Sequence, residues 1–147
     1  MISVIDNRID QLIRNVKSEP MLADFVFMSA YPPREIPEPM SRYAITIENT
    51  GVKSEQRFIG ESVTAGFKGR LYTAELNIRV YAPDHSAGSA LLRATSLLSD
   101  ACERCDTDKA VRSVKLSGIH YDTAARTVYR DIMLSLEYIL YEEVSDD

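Results

Sequence analysis

Long hydrophobic runs are missing from this chain, and so are the residue patterns that mark most small enzymes. No apolar stretch approaches the roughly 18 residues of a membrane-spanning helix. The opening residues MISVIDNRID mix charge with apolar side chains where a signal peptide would set a basic segment ahead of an apolar one. The expected compartment is therefore the cytosol. Two cysteines are too few for the disulfide framework of a small secreted domain. Basic charge is also scarce: 17 Lys and Arg against 22 Asp and Glu leave a net charge of −5. The acid-free stretch Ser62–Ala74 holds only Lys68 and Arg70. Gripping duplex phosphates needs a locally basic surface, so tight nucleic-acid binding is not expected.

What remains is an ordinary globular composition, 45% hydrophobic and 27% charged over 147 residues. That length suits one domain spanning residues 1–147, able to bury a core without metal or disulfide. Ile2, Ile5, Ile9, Leu12, Ile13 and Val16 follow a 3.6-residue period, which predicts an amphipathic helix ending before Pro20. Ser3 and Asp6 have the spacing of a capping box at its start. Phe25–Ala30 is short, apolar and β-prone, and predicts a strand. YPPREIPEP follows, with four of the six prolines, and predicts an extended connection. Arg42–Glu48 alternates Tyr43, Ile45 and Ile47 with Ala44, Thr46 and Glu48, a strand with one buried and one wet face.

Residues 50–69 contain four of the six glycines and little period, which predicts a long flexible loop, with room for a short strand near Phe58 and Ile59. Arg70–Tyr81 alternates cleanly, with Tyr72, Ala74, Leu76, Ile78 and Val80 on one face. Asp84 or Ser86 can cap a second helix over Ala87–Cys105, with Leu91, Ala94, Leu98, Ala101, Cys102 and Cys105 on its stripe. After a polar break at Asp106–Lys109, strands are expected over Ala110–Tyr121 and Thr127–Tyr141. The last, at about 50 Å, is long enough to protrude or bend, and the acidic tail from 142 to 147 is expected to fray. The order α-β-β-loop-β-α-β-β implies an α+β fold: a single mixed, mainly antiparallel sheet with two helices packed on one face. The strands flanking the second helix are expected to run parallel through a crossover.

Chemistry-bearing patterns are few. Cys102 and Cys105 form a C-x-x-C, but at a helix C-terminus, where the dipole disfavours thiolate, so they read as inert buried thiols. The turn VYAPDHSAGSALL has one glycine, Gly88, and no phosphate-binding fingerprint. Gly66-Phe67-Lys68-Gly69 has a G-x-x-G form but leads into a strand, not between helices as in a KH clamp. Gly60-Glu61-Ser62-Val63-Thr64 lacks the last glycine of a nucleophile elbow. Two histidines, His85 and His120, offer no zinc-ligand spacing. The residues point to no catalytic centre, no metal site and no cofactor. The competing readings are a small ligand-binding domain or enzyme using Asp84, His85 and His120, and a thiol-redox module at Cys102 and Cys105.

The strand exit Tyr81-Ala82-Pro83, the Gly88-containing helix start and the Tyr121-Asp122 turn before a long alternating strand carry a resemblance. So do the N-terminal helix and the long segment before Arg70. Together they resemble the tail-terminator (tail-completion, gpU-like) proteins of tailed phages and tail-like particles. The resemblance implies a structural, non-enzymatic protomer that forms a ring, typically of six copies, on the head-proximal end of a tail tube. There it ends tube polymerisation and offers a surface for joining the neck. Implied partners are further copies of the chain, the tube protein, and sheath and neck or connector proteins. DNA would pass through the lumen without specific binding, and no membrane is involved. The implied location is the virion or particle tail, after assembly in the host bacterial cytoplasm. A head-side neck adaptor, or head-tail connector, is the near alternative. A closed ring needs one patch to meet a different patch, and the expected assembly interface is Phe58, Ile59, Phe67, Lys68 and Arg70.

Overall fold

The computed structural model describes residues 2–28, 42–59, 67–83 and 88–143. At 55–59, 67–68 and 142–143 the description is of backbone alone. The proline-rich segment, the expected helix cap at Asp84 or Ser86, and residues 144–147 lie outside the described residues. The elements are α1 (Ile2–Lys17), a short 3-10 turn (Pro20–Leu22), β1 (Val26–Met28), β2 (Ala44–Ile59), β3 (Phe67–Tyr81), α2 (Gly88–Arg104), β4 (Val111–Leu116), β5 (His120–Asp122) and β6 (Thr127–Glu143). The fold is α+β, with two helices and a mixed six-stranded sheet.

α1 forms where its apolar period demands a buried stripe, and Ile5, Ile9, Leu12 and Val16 are its buried residues. Ile2 and Ile13 lie at the margins of that stripe, exposed and half-buried. Ser3 does not cap this helix, because helical backbone already begins at Ile2 and places Ser3 inside the first turn. Arg14 and Lys17 stand in the last turn, where cations favour the carbonyl end of the dipole. α2 buries Leu91, Ala94, Leu98, Ala101 and Cys102, the stripe read from the sequence, while Cys105 beyond its end is half-buried.

The strand order is β1-β2-β3-β6-β4, with β5 also paired to β6. Only β1 and β2 are parallel; every other pairing is antiparallel. β3 and β4 run the same way, as the strand–helix–strand reading requires, but β6 lies between them and is antiparallel to both. One core cluster joins Ile5, Ile9, Leu12 and Val16 of α1 and Leu91, Leu98, Ala101 and Cys102 of α2. The same cluster takes in the even-numbered residues 72–80 of β3 and 132–140 of β6. Alternation puts those strand residues on one sheet face.

Three strand expectations need correction. The loop expected over 50–69 is strand at both ends, since β2 continues to Ile59 and β3 begins at Phe67. Two irregularities hide it from a period-2 reading. Thr50 is an extra residue between the pairs Asn49–Leu76 and Gly51–Glu75, and residues 55–57 face Leu71 alone. At the first, the Asn49 side-chain oxygen accepts the Gly51 N–H at 3.1 Å, a local bond that competes with the ladder. The strand expected over Ala110–Tyr121 is broken at Ser117–Ile119, where three residues oppose Arg130 and Asp131. There the Ser117 hydroxyl accepts the Asp131 N–H at 2.9 Å, and the Ser117 carbonyl accepts from Arg130 Nε at 2.7 Å. Finally, Glu142 and Glu143 do not fray: they pair with Lys68 and Phe67.

The polar face also departs from expectation near Ala44, which is buried with Tyr81 and Ala125 in a second small core. Ala44 stands opposite Tyr81 in the register, and Met28 and Tyr129 pack on the same cluster.

Candidate assembly surface

The register gathers the five expected interface residues at one end of the sheet. Phe58 pairs with Arg70 and Ile59 with Gly69, while Lys68 and Phe67 pair with Glu142 and Glu143. β4 meets β6 no further along than Leu136, so among the described residues only β2, β3 and β6 continue beyond that row. We call this part the distal ribbon. The 17-residue length of β6 is accounted for here: it neither hangs free nor leaves the sheet, but runs beside β3 from Tyr129 to Glu143.

The odd-numbered face of β3 and β6 changes character along its length. Its middle is polar, with Thr73, Glu75, Asn77, Asp131, Ser135 and Glu137. An open trough of about 590 Å³ crosses it between Thr50, Asn77, Ser113 and Met133. On the distal ribbon the same face turns apolar. Leu71 is 6% exposed, and its cross-strand partner Ile139 is 40% exposed. Tyr141, opposite Gly69, is 56% exposed. The sequence carried the signal: polar alternation through Asp131, Ser135 and Glu137 gives way to Ile139 and Tyr141 in YILY. Exposed apolar side chains clustered on a polar face mark a contact surface more than scattered ones do.

The ribbon's edges are its second feature. Among the described residues, no strand pairs with β2 beyond Thr46 on the β1 side. On the other side the Glu137 N–H donates to the Ala110 carbonyl at 2.8 Å, and no described strand pairs with β6 past that point on the β4 side. Unpaired strand edges present rows of backbone donors and acceptors that a further strand can satisfy.

No family model matches this chain, and no curated protein matches its sequence.

At the opposite end of the odd face, the polar groups satisfy one another. Arg79 donates to both Asp131 oxygens at 2.8 and 3.1 Å and lies 4.0 Å above the centre of the Tyr129 ring. The bond to Asp131 raises the guanidinium pKa further above its ordinary value. The Tyr81 hydroxyl donates to Asp122 at 3.3 Å, and burial pushes that phenol up. Asp122 also accepts the N–H groups of Ala124 and Ala125, fixing the turn before β6. His120 is exposed, and its ring lies tilted against that of Tyr129 with centres 5.6 Å apart. Asp84 and His85, its companions in the ligand-binding reading, lie outside the described residues.

The two thiols are held protonated. Burial drives Cys102 up to about 12, and burial followed by the Glu19 carboxylate raises Cys105. Cys105 Sγ donates to Glu19 Oε2 at 3.6 Å and the Asn15 carbonyl at 3.7 Å, so it clips the end of α2 to the end of α1. That geometry works against a thiolate nucleophile. Among the described residues, no three His, Cys, Asp or Glu side chains are grouped to hold a metal ion. No described helix is long and apolar enough to cross a membrane.

Proposed function

We propose that this chain is a structural assembly protein of a phage or phage-like tail. Its copies form a ring on the head-proximal end of the tail tube, stop its growth and present the surface that joins the neck. The observation that supports the reading is the distal ribbon. It extends past the reach of β4 and carries Ile139 and Tyr141 exposed on an otherwise polar face. Its even-numbered face adds Tyr138 and Leu140 to the core, whereas its odd-numbered face leaves Ile139 and Tyr141 uncovered. Apolar patches of this kind gain free energy when a partner covers them, at roughly 25 cal/mol per Å² removed from water. The excess of acid over base, −5 overall, suits a passage that DNA must cross without sticking.

The test is negative-stain microscopy of the purified protein mixed with tubes grown from the matching tube subunit. Caps on one end of each tube, and tubes that stop elongating, are expected. Replacing Ile139 and Tyr141 together by serine should leave the helical content unchanged and abolish capping. Tube ends that stay bare at every protein concentration would end the proposal.

A further inference from the structure

We draw no further inference here: the strongest candidate, the exposed apolar patch of Ile139 and Tyr141 on the odd-numbered face of the distal ribbon, belongs to the surface already described, and nothing in the structure shows what covers it.

Discussion

Removing the Asp106 side chain should cost this fold more than any other single polar change on the α2–β4 connection. The residue is 5% exposed. Its two carboxylate oxygens accept the N–H groups of Ala110 at 3.0 Å and Val111 at 2.9 Å, one oxygen each. These bonds launch β4 immediately after a turn in which Lys109 takes a left-handed backbone, φ 54°. Ala110 is 1% exposed, so its N–H has no route to water once the acceptor is gone. Val111 is half-buried, and its N–H recovers part of the loss through hydration. An orphaned buried donor costs about 1–3 kcal/mol. Taking the middle to upper part of that range for Ala110 and no more than its lower end for the partly hydrated Val111, Asp106→Ala should destabilise by about 2–4 kcal/mol. For a chain of this length that corresponds to a Tm lowered by roughly 6–12 °C. Asp106→Asn keeps one acceptor oxygen and should lose about half as much. Urea titration followed by far-ultraviolet circular dichroism reads both variants. An Asp106→Ala protein within about 1 kcal/mol of the parent would show that these two bonds do not hold the turn as argued.

Two further outcomes are open to measurement. Burial pushes the Tyr138 phenol from its ordinary 10.0 to about 12, helped by the charges of Asp108 and Asp106, while burial takes the Cys102 thiol from 9.0 to about 12. Both groups stay protonated in the fold after the unfolded chain has released its protons. Their contribution is therefore whole below pH 9 and is lost as pH rises toward 12. Stability should drop by on the order of 3 kcal/mol between pH ~8 and ~11. Tyr138→Phe should flatten that decline, and a profile parallel to the parent's would refute the assignment. The Arg79–Asp131 pair, bidentate and with side chains 32% and 16% exposed, should show a coupling of about 1–2 kcal/mol in a double-mutant cycle of alanine variants. A coupling below about 0.3 kcal/mol would place it with ordinary surface pairs.

Much of this architecture could be read from residue order, because burial imposes a period wherever an element has one dry face. The stripes of α1 and α2 and the even-numbered faces of β3 and β6 are such cases, and most of their buried residues are those the periods name. Thr95 and Ser99 of α2 and Leu71 and Tyr81 of β3 are buried outside them, and Ile2 is named but exposed. The reading failed where a side chain replaces a backbone partner. Asn49 takes the Gly51 N–H, and the Ser117 hydroxyl takes the Asp131 N–H. Each bond stands in for a ladder bond, so an extra residue enters and the alternation changes phase. A strand then looks like a loop, or two strands look like one. Asp106 was hidden for a related reason: in a polar stretch nothing marks the one carboxylate whose acceptors face buried amides.

The candidate assembly surface divides the same way. Local pattern alone was enough to single out Phe58, Ile59, Phe67, Lys68 and Arg70 as a suspect segment and β6 as too long for a small sheet. Tertiary structure alone decided that these are one place. Strand order and register are long-range choices, made by which edges meet when the core closes, and no stretch of sequence encodes its partner's height. Inserting β6 between β3 and β4 brought Ile139 and Tyr141 alongside β3 at the end of the sheet where β2 and β3 pair.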